Sequence, residues 1–478
     1  MLALLGLLAW NVGMPVLHVW DEARLAVNAA EMLRSGDWLV ARYDGQPDLW
    51  NTKPPLLLWL QAASLHLLGY RMWAFRLPSV LAALATAWLL YRFGRDALGS
   101  RFVGSFAALI LASSPGFNGT HVARSGDYDA MLCLTLTAAA LSWYQYAQQR
   151  QARRLWQGAG WLALGLLTKS AAALLLLPGV AAGLLLLPGG RGVLGQGRTY
   201  GALALACGPL ALFYGLREAA APGYLAATWF NDWYGRLSHR VVTVNYPWWV
   251  YCQRLLFPGL LTWVLLLPAG IGMGIGAGPT AAVKQHFARF ASVYSGVFLG
   301  LISAARTRLP WYSAPVYPMV ALLCALGLEH LTRRALRTWR WPRRAVAVLL
   351  AMAVVGPSAV LLCHEWGRWE AEKTALDLHY GYQLPQVLAA RPGLRTFTIV
   401  LREHEYDAPL LFYVAALRAQ GIQPVIIRAT AATLPPLHPG QQLLICAAPL
   451  QRCVQQQYAT RPLAAIPPCV FITILGRK

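Results

Sequence analysis

The chain has little charge and very little acid. Charged residues fill 13% of its 478 positions, about half the ~25% of an ordinary soluble domain. That deficit excludes a water-soluble globular enzyme and a disordered chain alike. Acids are scarcest: 19 Asp and Glu face 41 Lys and Arg, for a net charge of +22. In a chain that is 57% hydrophobic, surplus arginine marks the flanks of membrane spans, not a nucleic-acid surface. Cysteine is sparse too, eight in all, with no zinc spacing and too few for a disulfide scaffold. Cys133, Cys207, Cys252 and Cys324 sit in apolar runs, where a thiol behaves as a small hydrophobe. Cys446, Cys453 and Cys469 share the polar tail, an odd set that leaves at least one unpaired there. No 20–50-residue repeat is visible and the two halves are unlike, which disfavours a solenoid and an inverted-repeat transporter.

What the chain does have is long apolar runs. A helix needs about 20 apolar residues to cross a bilayer, and Met1–Trp20 qualifies. It has no basic leading region and no small-residue cleavage site, so it reads as a signal anchor with a start placed slightly late. Further spans are expected at 76–93, 102–119, 129–147, 157–167, 171–187, 199–217, 249–269, 288–304, 311–329 and 345–363. That makes about eleven crossings of an all-α polytopic membrane protein. Lys and Arg are about twofold denser in the connections that a cytoplasmic N-terminus would place inside. Arg150, Arg153, Arg154 and the cluster from Arg333 to Arg344 carry that bias. An odd number of spans puts residues 365–478 outside. There, short β-rich strings (396–401, 424–428, 442–446, 469–475) alternate with a helical stretch at 409–420, the pattern of a small α/β domain. The expected domains are therefore 1–364, with an outer loop at 21–75, and 365–478.

The few acids are unevenly placed. Asp21, Glu22, Glu31, Asp37, Asp44, Asp48, Asp127 and Asp129 all fall on the expected outer side, and none lies mid-span, where an ion-coupled transporter would need them. Any chemistry belongs to the outer interface. Asp21-Glu22 follows the first span and opens an amphipathic stretch, 22–34, expected to lie at the membrane surface. Acids at a helix start also complement its dipole, so the pair alone does not separate a site from a cap; Asp127 and Asp129 invite the same two readings. Lys53-Pro54-Pro55 opens the apolar run 56–69, too short to cross. Lys53 at headgroup depth suits a lipid phosphate or a plain anchoring lysine. Arg306 and Arg308 break the positive-inside bias beside Trp311 and Tyr312, and guanidinium suits phosphate oxygens. The aromatic loop from Trp229 through Arg236 to Trp249 fits sugar rings or interface anchoring equally.

Four motifs in order, Asp21-Glu22-Ala23-Arg24 with Gly36-Asp37-Trp38, Lys53-Pro54-Pro55 with Arg76-Leu77-Pro78-Ser79, Arg124-Ser125-Gly126-Asp127-Tyr128-Asp129, and Leu309-Pro310-Trp311-Tyr312, resemble polyprenyl-phosphate glycosyltransferases of the GT-C fold. The match is to the bacterial aminoarabinose transferase and protein O-mannosyltransferase-like group, over roughly 1–330; the tail after 365 carries none of its motifs. The resemblance implies an outward-facing site on the first loop, with Asp21, Glu22 and Asp129 as catalytic carboxylates. Lys53, Arg24, Arg236, Arg306, Arg308 and Tyr312 would hold the donor phosphate, with Asp127 and Arg124 as further candidates. Two departures stand out: Asn51-Thr52 precedes Lys53 where the aminoarabinose enzymes carry a glutamate, and Arg308 replaces a more usual lysine. The sugar is therefore not fixed by the resemblance.

The expected activity is inverting transfer of a hexosyl or pentosyl group from an undecaprenyl-phosphate donor to a lipid or protein acceptor. It would take place at the outer face of a bacterial inner membrane. Membrane lipids are partners and nucleic acid is not. No metal site is expected and no cofactor is obligatory, although a divalent cation is compatible. A transporter or flippase of lipid-linked or small solutes is the alternative, and a degenerate non-catalytic relative a third.

Overall fold

The structure, a computed structural model, describes residues 2–238, 246–275, 282–374 and 380–478. It is mostly helical, with a small sheet near the C-terminus. The first eight helices are α1 (Leu2–Ala9), α2 (Asp21–Ser35), α3 (Leu56–Leu68), α4 (Met72–Asp96), α5 (Arg101–Ser113), α6 (Asp129–Gln149), α7 (Ala152–Leu174) and α8 (Leu176–Leu185). A two-stranded hairpin, β1 (Arg42–Tyr43) with β2 (Gln46–Pro47), lies between α2 and α3. Then follow α9 (Gly190–Leu194), α10 (Gly197–Ala220), the short α11 (Tyr224–Thr228), α12 (Gly235–Ser238) and α13 (Val250–Arg254), and α14 (Leu267–Ile275). Three long helices, α15 (Ala282–Ala304), α16 (Tyr317–Arg337) and α17 (Arg343–Thr374), complete the bundle.

Five helices are long and apolar enough to cross a membrane, and two bent pairs raise this to seven among the described residues. This is a multi-pass membrane protein. Several expected spans take other forms. The segment 157–187, expected as two crossings around Thr168-Lys169-Ser170, is α7 and α8 bent by 77°. The backbone leaves helical geometry at Lys169 and Ser170 without an intervening loop. The 249–269 run is a second broken element, bent by 112°. Helix α5 stops at Ser113, short of the expected 119. Its N-cap Ser100 accepts the Val103 amide at 3.2 Å, satisfying one of the first-turn N–H groups. A Cβ on Gly94 would lie 2.4 Å from Gly104, so these two glycines let α4 and α5 cross backbone to backbone.

Helix α2 was expected at the membrane surface, but nine of its fifteen residues are buried against α3, α4 and the tail. Its apolar stripe has a protein partner in place of lipid. The tail forms β3 (Thr396–Arg402), β4 (Gln423–Ala429), β5 (Gln442–Ile445), β6 (Tyr458–Ile466) and β7 (Cys469–Arg477) in the order β4-β3-β5-β7-β6. The first three strands are parallel and the last two antiparallel additions. Helices α18 (Tyr380–Ala390), α19 (Ala408–Ala419) and α20 (Ala448–Gln457) flank the sheet. Cys446 and Cys469 are disulfide-bonded, and Cys453 is the unpaired thiol of the three. Helix α19 faces two ways: Ala408 and Phe412 join the core of the helical bundle, while Leu410, Val414 and Leu417 join that of the sheet.

Candidate active site

The N-terminus of α2, the approach to α3, the start of α6, the α7 kink and the turn Pro310–Val316 that leads into α16 converge on one cavity of about 210 Å³. Asp21, Arg24, Lys53, Asp127, Asp129 and Tyr312 all line it, so six residues drawn from four distant motifs meet in one space. Proline at 54 and 55 starts α3 directly after Lys53, which aims the lysine at the cavity instead of along the helix. Asp129 is the first residue of α6, where the helix dipole favours a carboxylate.

The charges around the cavity are almost all paired. Arg24 makes a two-pronged contact with Asp48, Nε to Oδ2 and Nη2 to Oδ1, both at 2.8 Å. Lys53 Nζ lies 3.6 Å from Asp232, whose other oxygen accepts the Thr52 hydroxyl at 2.7 Å. Lys169 Nζ donates to both oxygens of Asp129 at 2.8 Å and lies 5.3 Å from the centre of the Tyr312 ring. His121 stacks on Trp311 at 3.8 Å with Nδ1 2.8 Å from Asp127 Oδ2, a contact short in distance but off the angle of a good hydrogen bond. Burial lifts the Asp127 carboxyl above its usual range. Burial pulls the His121 imidazole down, but the facing Asp127 outweighs that and raises it. Asp21 stands apart: exposed at the rim, it makes no hydrogen bond or ion pair among the described residues.

Glu22, one residue on, is its opposite. It is fully buried and outside the cavity lining. Its oxygens accept Arg76 Nε at 2.7 Å, Arg76 Nη2 at 2.8 Å, the Gly126 amide at 2.7 Å and the His18 amide at 2.9 Å. Burial alone would raise its carboxyl, but the Arg76 guanidinium and these donors hold it at about 2. Arg124 also turns away, donating to the carbonyls of Leu7, Trp10 and Asn118. Arg308 donates to the Ser303 and Tyr246 carbonyls, and Arg306 is exposed; neither lines the cavity. The side chain of Arg236 lies outside the described ones. No cluster of three or more metal-ligating side chains occurs among the described residues.

Three cavity residues escaped the sequence reading. Lys169 had a usable signal, an isolated lysine in an otherwise apolar stretch, where ionisable groups tend to be functional. Asp232 was visible inside the aromatic loop but not assignable to Lys53, 179 positions away by chain and 3.6 Å in space. His121 gave no signal at all. Asn51, in the Asn51-Thr52 pair that stands where the resemblance leads one to expect a glutamate, donates to Asn28 at 2.8 Å and accepts from Tyr128 at 3.1 Å.

Residues 52–213 match the family model for dolichyl-phosphate-mannose-protein mannosyltransferase. Over 351 residues the chain is 29% identical to the undecaprenyl phosphate-alpha-4-amino-4-deoxy-L-arabinose arabinosyl transferase of Edwardsiella ictaluri (69% of this chain, 59% of that one). It is 30% identical over 334 residues to the enzyme of the same name from Pseudomonas aeruginosa (66% and 56%). The chain thus spans about three fifths of the length of the curated relatives it matches. The crystal structure of ArnT from Cupriavidus metallidurans bound to undecaprenyl phosphate superposes with a TM-score of 0.70 at 16% identity, covering 98% of this chain and 96% of that one. The shared fold therefore runs through the tail, where no motif was recognisable. By motif order, by sequence and by fold, the chain is a relative of the polyprenyl-phosphate glycosyltransferases of the aminoarabinose transferase and protein mannosyltransferase-like group.

Proposed function

We propose that this chain is an inverting glycosyltransferase that moves a sugar from an undecaprenyl-phosphate donor to a hydroxyl or phosphate of a lipid or protein acceptor. The site would lie on the outer face of a bacterial inner membrane. In this reading residues 1–364 are the catalytic membrane domain, crossing about eleven times with the broken and shorter helices counted, and 365–478 form an extracytoplasmic domain. The relatives' names support transfer over the transporter alternative.

The observation that carries the mechanism is the solitary carboxylate at Asp21 facing a ring of cations already balanced by acids. The acceptor O–H would hydrogen-bond to Asp21. As its oxygen attacks the anomeric carbon from the face opposite the phosphate, the proton passes to the carboxylate and the sugar–phosphate bond breaks. The departing phosphate gains charge, and Lys53, Lys169 and Arg24, together with the Tyr312 hydroxyl, would stabilise it. Each cation must share itself between its resident acid and the phosphate. Asp232, Asp129 and Asp48 thus hold the cations in place while the site is empty. Glu22 and Arg124 act by building the loop that carries the site, and Arg306 and Arg308 are left to contact the lipid surface.

The decisive experiment compares envelope lipids and glycoproteins by mass spectrometry in cells carrying wild type or Asp21→Asn. Loss of a general base costs about 10²–10⁴ in rate, so the product should vanish while membrane insertion and thermal stability stay at wild-type level. Full product from Asp21→Asn would remove the assignment.

A further inference from the structure

The turn that presents Asp21 is strained. Trp20, immediately before it, has φ 80° and ψ −110°, a region that bulky residues avoid and that persists only where the surroundings impose it. What imposes it here is the sheet domain. Tyr406, two residues before α19, donates its hydroxyl to the Trp20 carbonyl at 2.9 Å, and its ring stacks on the Trp20 indole at 4.6 Å. The same carbonyl accepts the Arg24 amide at 3.0 Å in the first turn of α2, so the Tyr406 hydroxyl and the helix grip one atom. Three residues earlier, the Leu17 amide donates to the Tyr413 hydroxyl at 3.1 Å. The chain entering α2 is therefore held at two points, from α19 and from the segment just before it.

A second thread runs to Arg24. Asp407 accepts the Tyr43 hydroxyl at 2.8 Å and is itself held by Arg428 Nε at 3.0 Å. The Tyr43 ring in turn lies 4.3 Å from the Arg24 guanidinium. Arg428 also reaches Asp44 in the hairpin at 3.0 Å. Two consecutive residues of the tail thus touch the neighbours of two consecutive functions: Tyr406 the residue before the base, and Asp407 the ring under a phosphate-side cation.

We propose that Tyr406 and Asp407 are positioning residues for transfer: Tyr406 fixes the Trp20 turn that aims Asp21, and Asp407 seats Arg24 through Tyr43. The sheet domain is then a built-in part of the active site, holding the catalytic turn in a conformation that the turn would not keep alone. The proposal rests on the reading of Asp21 as the base.

The test uses the full chain in detergent or nanodiscs, with undecaprenyl phosphate-aminoarabinose as donor probe. Tyr406→Phe keeps the ring stack and deletes only the hydroxyl. Because small misplacements of a reacting group cost up to about 10²-fold, its kcat should fall by between about tenfold and a hundredfold with the donor KM unchanged. Hydrogen exchange of the amides at 21–25 should quicken in parallel. Asp407→Asn should mainly weaken binding of undecaprenyl phosphate. A wild-type kcat in Tyr406→Phe overturns the proposal whatever the exchange shows; so does a fall in kcat with exchange at 21–25 unchanged, since the turn would then not be the route. Failure of the underlying reading shows separately, as turnover by Asp21→Asn.

Discussion

Two of the ion-pair clusters in the bundle contrast: one surrounds the cavity, and the other, among the described residues, lines none. At the cavity, Lys53 meets Asp232 and Lys169 meets Asp129, while Asp21 makes no ion pair among the described residues. Far along α16, Glu329 takes three donors: Lys284 of α15, Arg333 Nη2 at 2.8 Å and the Ser100 hydroxyl at 2.7 Å. That second cluster joins α15 and α16 to the start of α5 and lines no cavity. The residue types are the same and the outcome differs. Where each carboxylate is saturated by protein donors, the cluster fastens helices together. Where each cation keeps an acid of its own and a hole remains beside them, the cluster can accept an outside anion.

The sharpest form of the contrast lies within one dipeptide. Asp21→Asn should erase transfer and leave the fold alone, whereas Glu22→Gln should do the reverse first. Breaking a buried pair by removing one partner costs about 3–5 kcal/mol, because Arg76 is left charged and buried. Thermal unfolding of Glu22→Gln should show that loss. Glu22 also gives stability an acid limb. With its carboxyl held at about 2 against an ordinary 4.5, its contribution is complete above the ordinary value and disappears as pH falls toward the lower one. Glu22→Gln should flatten that limb. A variant as stable as wild type, with the limb intact, would mean that Glu22 is not the anchor of the loop.

How much of this the residues announced depended on the range of the interaction. Asp21, Lys53, Asp129 and Tyr312 were legible because each sits at a local boundary, the end of an apolar run or a proline-started helix, and they proved to share one cavity. The strands of the tail were legible from β-branched strings such as Thr396–Leu401. Glu22 looked equivalent to Asp21 because nothing local distinguishes neighbours on a helix; Arg76 and Gly126, which separate their fates, arrive from α4 and the loop before α6. Arg124 looked like a cavity residue for the same reason, and three backbone carbonyls claim it instead. The apolar stripe of α2, read as facing lipid, is covered by protein instead, because amphipathicity reports that a face is covered, not whether lipid or α19 covers it. The two kinked elements were read as separate or unbroken spans because hydropathy does not register a backbone break.

Between the lysines the comparison can be sharpened quantitatively. Lys53→Ala should raise the donor KM about tenfold to a hundredfold, the weight of one charge-assisted phosphate contact, with little effect on Tm. Lys284→Ala should do the opposite, lowering Tm and leaving KM at the wild-type value. Binding of undecaprenyl phosphate to the two purified variants measures this directly. Equal losses of affinity in both would mean that the space around Lys53 is incidental.

The smallest effect belongs to Glu329→Gln. Its carboxylate is buried, but the groups it would abandon are not trapped: the Arg333 side chain is 58% exposed, and Lys284 sits on a helix end with a flexible stem able to reach water. Glutamine retains an acceptor for the Ser100 hydroxyl, so the α5 cap contact survives in neutral form. The loss should therefore be near that of an ordinary hydrogen bond to a charged group, about 1.5–3 kcal/mol, less than at Glu22, where Arg76 has no route to solvent. Transfer rate and donor KM should not change, because no lining residue touches this cluster. A destabilisation as large as that of Glu22→Gln would show that burial of the carboxylate, and not the trapping of its partner, sets the cost; a change in KM would show that the two ends of the bundle are coupled through α16.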